Sequence, residues 1–139
     1  MPVQALGHVV LKVRDLERSE AFYSGHLGMP IVSRVSDPVC MTFFTLGNHH
    51  DFALMELGEL APSSDPEATG LAHVAFKIGD ALDEYRSMKT ALAAAGVTVL
   101  YEADRTFTKS LHLLDPDENE IELYIDTSPH DAVSFASHH

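Results

Sequence analysis

Apolar and other residues alternate with a period of two from residue 5 to 13, where Val9, Leu11 and Val13 share one phase, and this reads as a strand. From Asp15 the period lengthens. Leu16, Glu20, Tyr23 and Leu27 recur at helical spacing, with Asp15 as N-cap, Gly28 at the C′ position and Pro30 as a stop. Residues 31–36, 40–46 and 51–57 read as three short strands, the last two joined by a turn at Gly47-Asn48. Residues 58–70, with Pro62, Pro66 and Gly70, form a linker. The order then recurs. Residues 71–78 read as a strand, and Asp80 caps a helix carrying Ala81, Tyr85, Met88, Leu92 and Ala95 on one face up to Gly96. Strands follow at 97–102, 110–114 and 120–125, with a turn from Asp115 to Asn119 before the last. Residues 127–139 form a polar tail without periodicity, including His130, His138 and His139.

The two halves share wording as well as order. Residues 6–15, LGHVVLKVRD, match residues 71–80, LAHVAFKIGD, 65 positions on, and Met55-Glu56-Leu57 echoes Ile121-Glu122-Leu123 66 positions on. The expected architecture is therefore α+β: two βαβββ modules, residues 5–58 and 70–126, forming curled mixed sheets with helices on the outer face of one domain, residues 1–126. Strand phase sorts the side chains. Val9, Leu11 and Val13, with Val74, Phe76 and Ile78, should pack on the helices. Ala53, Met55 and Leu57 should do so too, alongside Ile121, Leu123 and Ile125, so that His8, His50, Glu56, His73 and Glu122 all point to the other face. Carboxylates gathered there need a cation, protons or water to coexist.

Composition narrows the partners. A formal net charge of −12 opposes binding to nucleic acid or to an anionic membrane surface. No apolar run approaches the roughly 20 residues of a membrane-spanning helix, and the first ten residues lack the pattern of a signal peptide. Cys40 is the single cysteine, which excludes an internal disulfide and fits a cytoplasmic protein. It sits in an apolar run and is expected to be a small buried hydrophobe. Lys12 and Lys77 repeat in the phase of the histidines and are expected to snorkel to water at the sheet edge. Tyr124, in phase with Glu122, is expected to be a packing residue.

Three segments, GHVVLKVRDLERSEAFYSGHLGM, LAHVAFKI and LLDPDENEIELY, resemble the vicinal oxygen chelate superfamily of glyoxalase I, fosfomycin resistance proteins, extradiol ring-cleavage dioxygenases and bleomycin-binding proteins. The resemblance covers residues 5–126. It implies that His8, His73 and Glu122 hold a divalent metal, with Fe(II) favoured and Ni, Zn, Co or Mn as alternatives. It implies a small-molecule substrate and a homodimer. By the same resemblance Glu56 matches a fourth ligand position used in glyoxalase I. His50, in the segment Asn48 to Leu54, falls on a His of the dioxygenases that lies outside their ligand set. A catechol bound through both oxygens must shed protons, and an imidazole titrating near neutrality is suited to take them. His49 beside it is expected to be solvated. Ten residues before Glu122 the dioxygenases carry a Tyr that hydrogen-bonds a substrate oxygen; here that position is His112, which can donate the same bond. The family turn DPDG is DPDE here, with Asn119 expected to take the left-handed conformation.

The expected function is an extradiol, catechol-type ring-cleavage dioxygenase, with His50 and His112 handling protons and hydrogen bonds. One alternative is a glyoxalase-type lyase or isomerase, in which Glu56 is both fourth ligand and base. Another is a non-catalytic drug-binding resistance protein whose acidic groove sequesters a cation.

Overall fold

The computed structural model describes residues 1–127. His130, His138, His139 and the rest of the expected tail lie outside them. The chain divides into two compact units, Met1–Ser63 and a second beginning at Ser64. Each contains a four-stranded mixed sheet with a helical segment, as the doubled βαβββ pattern predicts.

In the first unit β1 (Val9–Val13), β2 (Ile31–Val35), β3 (Met41–Phe44) and β4 (Phe52–Glu56) assemble in the order β1-β4-β3-β2. β1 lies parallel to β4, while β3 is antiparallel to both β4 and β2. The first strand starts later than its alternation suggests. Its ladder begins with the Val9 N–H donating to the Asp51 carbonyl, so His8 precedes the strand.

The helix α1 (Leu16–Glu20) opens with the Asp15 carboxylate accepting from the Arg18 N–H, the cap expected from sequence. It then widens into a π-helical turn over Ala21–His26, in which the Leu27 N–H reaches back to the Phe22 carbonyl, and Gly28 at φ +74° ends it. The widened turn drives Tyr23, fully buried, against Phe22, Phe44 and Phe52, with ring centroids 4.9, 6.2 and 4.9 Å away respectively. The core of this unit is therefore the sheet face bearing Leu11, Val13, Phe44, Phe52 and Leu54, all buried beneath the helix.

Thr42, also fully buried on that face, donates to the Glu20 carboxylate at 2.5 Å, and Arg34 grips the same carboxylate with two bonds of 2.9 Å. The Arg34 bonds, helped by Thr42 and opposed by burial, hold the Glu20 pKa below the usual carboxylate value. A depressed folded-state pKa contributes stability above the unfolded value and loses it as pH falls through the folded one. Glu20→Gln should therefore be clearly less stable than the parent in urea at pH 7. The gap should narrow on acidification below about pH 4. An equal gap at pH 7 and pH 3 would show that the carboxylate charge is not what matters.

In the second unit β5 (Val74–Gly79), β6 (Val99–Asp104), β7 (Thr108–Leu114) and β8 (Glu120–Asp126) repeat the order as β5-β8-β7-β6. Helix α2 (Leu82–Ala94) covers Leu111, Leu113, Ile121, Leu123 and Ile125 with Tyr85 and Leu92, all buried. The expected cap at Asp80 is corrected. Glu84 supplies it, accepting from the N–H groups of Asp80 and Ala81 at 3.0 and 3.1 Å. Asp80 instead pairs with Lys77 at 2.7 Å, and Asp126 holds the same ammonium at 2.8 Å, so Lys77 is clamped rather than snorkelling freely. In the β7–β8 turn the Asp115 carboxylate accepts from Asp117 N–H, Asn119 N–H and the Asn119 side-chain amide. The left-handed residue there is Glu118 (φ 67°), not Asn119. Cys40 is a free thiol of intermediate exposure rather than a buried one.

Candidate metal and substrate site

The open face of the second sheet, opposite α2, carries a row across three strands. Tyr101, His112 and Glu122 are register partners on β6, β7 and β8, and Ser110 pairs with Tyr124 one step along. Strand alternation puts them opposite the buried Leu111, Leu113, Ile121 and Leu123. His73, immediately before β5, joins the row, its Nε2 3.2 Å from Glu122 Oε1.

Around this pair the polar atoms are tightly shared. His112 is buried. Its ring stacks on Tyr101 at 4.2 Å with an interplanar angle of 11°. Its Nδ1 is 3.2 Å from Glu120 Oε2, and its Nε2 is 3.1 Å from Ser110 Oγ and 3.7 Å from Glu122 Oε1. The Tyr101 hydroxyl donates to the same Glu120 oxygen at 3.3 Å, and His73 Nδ1 approaches it to 3.9 Å. Partial desolvation first, then the Glu120 charge, pushes the pKa of the exposed Tyr101 phenol upward, which keeps that hydroxyl a donor. Glu120 and Tyr101 were not singled out in the sequence. The signal that could have found Glu120 is its phase, two residues before Glu122 on the same strand.

No group of three or more His, Cys, Asp or Glu side chains among the described residues is already arranged to hold a metal ion. The pair His73 and Glu122 nevertheless has the right separation for two neighbouring ligands. With bonds of about 2.1 Å meeting near a right angle, ligand atoms stand roughly 3 Å apart. One imidazole nitrogen and one carboxylate oxygen are donors that suit a divalent first-row metal.

The first unit holds the other candidates. His8 is exposed, with its ring 4.8 Å from that of His50. His50 is half-buried, edge-on to Phe43 at 5.0 Å. Phe43 pairs with Ala53 across β3 and β4, so this cluster lies on the side of the sheet away from α1. The β3–β4 connection is held by Asp51, whose carboxylate accepts from Leu46 N–H at 2.5 Å and Asn48 N–H at 3.3 Å, and His49 takes a left-handed φ of 49° beside it.

Glu56 is on the other side, and here the sequence expectation is corrected. Its register partner Val13 is buried, and it shares a phase with Phe52 and Leu54 against the helix. Its Oε2 accepts from the N–H of Leu16, the first residue of α1, at 2.9 Å. It therefore satisfies one of the unpaired amides of a helix N-terminus. The echo of Met55-Glu56-Leu57 in Ile121-Glu122-Leu123 does not survive the ladders. Val10 pairs with Ala53, and the matching Ala75 pairs with Glu122, so the residue equivalent to Glu122 is Ala53. Glu56→Ala should cost about 1–2 kcal/mol of stability through the lost cap, while metal affinity stays within about twofold. A chemical melt together with a metal titration measures both, and a large loss of metal affinity would contradict the register argument.

The cleft of about 600 Å³ in the second unit is elsewhere, among Tyr85, Arg86, Lys89, Glu102 and Lys109 on the α2 side. Lys89 and Lys109 there are already paired, with Glu102 and Asp104, and the cleft contains none of the histidines.

A family model for the Glyoxalase/Bleomycin resistance protein/Dioxygenase superfamily matches residues 5–123. The chain is 32% identical to biphenyl-2,3-diol 1,2-dioxygenase 3 of Rhodococcus globerulus, over 87% of its own length and 63% of that protein's. It thus spans under two thirds of that relative. It is 25% identical to glutathione transferase FosA of Serratia marcescens, over 88% of its own length and 82% of that protein's. Among solved structures, a variant of the fosfomycin resistance protein FosX from Listeria monocytogenes, complexed with Mn(II) and 1S,2S-dihydroxypropylphosphonic acid, shares the fold. Its TM-score is 0.70 at 22% identity, covering 94% of this chain and 99% of that one.

Proposed function

The chain belongs to the glyoxalase/bleomycin resistance protein/dioxygenase superfamily, and from that membership we propose that it is a metal-dependent enzyme acting on a substrate with two vicinal oxygens, by preference a catechol-type ring-cleavage dioxygenase. The observation that carries the reading is the His73–Glu122 pair, at ligand spacing in a row with His112 and Tyr101. The family resemblance implies His8 as a third ligand. A bound Fe(II), held by these residues, would supply Lewis-acid activation of the substrate oxygens and the redox chemistry of O₂.

The protein's own groups do the rest. His50, half-buried on a braced turn, takes or returns a proton as the hydroxyls ionise. Phe43 holds the His50 ring edge-on and offers an apolar wall. His112 meets a substrate oxygen from the Glu122 side. Glu56, engaged with Leu16, takes no part, which disfavours a glyoxalase-type reaction using it as base. The likeness to a biphenyl-diol dioxygenase supports an aromatic diol as substrate. The likeness to FosA reaches across more of that protein's length and favours one second reading, transfer of glutathione to a chelated substrate.

The deciding experiment is metal analysis of protein purified without oxygen, followed by Fe(II) loading and assay with biphenyl-2,3-diol and with catechol. Fe(II)-dependent uptake of O₂ with formation of a ring-opened product is the expected result. Glutathione consumption without O₂ uptake would move the assignment to the second reading. Absence of bound metal together with absence of Fe(II)-dependent turnover would sink both.

A further inference from the structure

We propose that Lys12 is a specificity-determining residue that receives the anionic end of the substrate, so that the diol taken by this protein carries an apolar arm ending in a carboxylate. This narrows the substrate class within the reading above and rests on it; what Lys12 and the surface beside it bind can be measured apart from any turnover.

The open face of the first sheet is laid out in rows. His8 and His50 stand at its head, with ring centroids 4.8 Å apart. Strand register makes Val10, Ala53 and Phe43 the next row, and Lys12, Met55 and Met41 the one after. Phe43 lies 5.0 Å from the His50 ring, so the apolar surface starts where the histidines end. Leu11 and Val13, on either side of Lys12 in β1, are buried toward the helix, which places Lys12 on the open side. Met41, Phe43 and Met55 are half-buried, and Val10 is exposed. Counted along the strand, Lys12 is roughly 13 Å beyond His8. The face thus has a histidine head, an apolar middle and a cation at its far end.

The repeat shows what is unusual about this cation. Lys77 holds the matching place in the second unit and is gripped by Asp80 and Asp126 at 2.7 and 2.8 Å. Neither carboxylate has an equivalent that serves Lys12. Asp15, the counterpart of Asp80, accepts from the Arg18 N–H and caps the helix instead. The register partners of Lys77 and Lys12 are Tyr124 and Met55, and two residues beyond them stand Asp126 and Leu57. Among the described residues Lys12 has no hydrogen-bond or ion-pair partner. The arginines of the unit are engaged: Arg34 with Glu20, Arg14 with the Ala61 carbonyl and the Ser63 hydroxyl, and Arg18 with Glu59. In a chain of net charge −12, Lys12 is therefore a local reversal of the field, open to an anion. A single ammonium is a point charge that matches one carboxylate. A doubly charged phosphonate would call for more cations or a bidentate guanidinium. The thioethers of Met55 and Met41 adapt to an aryl or alkyl arm of varied shape. An arm lying on them joins a diol held among the histidines to a carboxylate at Lys12.

The distinguishing pair of probes is 3-(3,4-dihydroxyphenyl)propionate and its methyl ester, which keeps the diol and the arm and removes the charge. In anaerobic equilibrium binding to Fe(II)-loaded protein at low salt, the parent should favour the acid by about 5-fold or more, the scale of one favourable ion pair. In turnover the difference should lie in KM and not in kcat, as for an interaction equal in ground and transition states. Lys12→Gln should lower the affinity for the acid to that for the ester. Lys12→Glu should favour the cationic 2-(3,4-dihydroxyphenyl)ethylamine over the acid, a reversal that a merely structural lysine would not produce. A second readout needs neither metal nor turnover. In metal-free protein carrying ¹³C-methyl methionine, 3-phenylpropionate, which has no diol, should move the Met41 and Met55 signals and leave that of the buried Met29 in place. Those shifts should be lost in Lys12→Gln. A parent that treats acid and ester alike, or a preference that survives in Lys12→Gln, overturns the proposal. If no diol is turned over, the reading above fails and the methyl signals alone decide. Shifts lost in Lys12→Gln then uphold the role of Lys12, and shifts absent from the parent or kept in the variant overturn it.

Discussion

Glu122→Ala should abolish metal loading and, with it, turnover. Glu122 supplies the oxygen that stands 3.2 Å from His73 Nε2, and its structural counterpart in the first unit is Ala53, which has no donor. The repeat therefore offers no reserve carboxylate to take its place. Loss of a residue that merely supports a ligand costs 10- to 100-fold in metal affinity, so loss of the ligand itself should exceed about 100-fold. Activity should fall to the level of metal-free protein. The fold should survive, because Glu122 is on the open face and the core partners Ile121 and Leu123 are untouched. Anaerobic Fe(II) titration beside a thermal melt makes the comparison. Full metal binding by Glu122→Ala with normal stability would remove Glu122 from the ligand set. Glu56→Ala provides the contrast, since it should weaken the fold and spare the metal.

Tyr23→Ala should have the largest effect on stability. Tyr23 is completely buried, and its ring meets Phe22, Phe44 and Phe52 at the point where the helix widens into its π turn. Truncating a buried aromatic side chain costs about 3–5 kcal/mol, combining lost burial with the cavity left behind. For a unit of this size the melting temperature should drop by more than about 10 °C. The loss should be almost as great in the absence of metal as in its presence, because Tyr23 packs on the helix-covered side of the sheet and not the open side. A cost below about 1 kcal/mol in denaturant would mean that the aromatic cluster repacks freely and does not fix the helix to the sheet.

The sequence revealed most of the architecture, because alternation and helical spacing are local signals. Val9, Leu11 and Val13 declared their phase, and the doubled His-Val phrase located the first strand of each module. The ladders that decide which strand residues face each other are not local, and this is where Glu56 was misread. Its triplet resembles that of Glu122, but the second module carries extra residues between its first and last strands. The two triplets therefore fall at different register positions and on opposite faces. A period of two makes such a slip decisive, since an odd displacement reverses every side chain. The π turn was hidden for a related reason. Leu16, Glu20, Tyr23 and Leu27 fit an ordinary helix, and only the bond from Leu27 to Phe22 discloses the wider turn. His73 and Glu122 were legible as candidates, and the structure brings them together. Glu120 was passed over because a carboxylate on a strand looks solvated until its partners, Tyr101 and His112, arrive from two other strands.

The order β1-β4-β3-β2 has a consequence for how the protein is made. Among the described strands the first of each module pairs with the last, so that pairing cannot form until the module's last strand has left the ribosome. The intervening hairpins can pair early, but the parallel seam closes at long sequence separation and must wait for that loop-closure entropy to be met. Nascent chains halted inside a module would hold an unpaired, valine-rich strand open to other chains. Each unit is in this sense a quantum of synthesis, and a stall that comes after the last strand of the first unit has emerged leaves a finished sheet behind it.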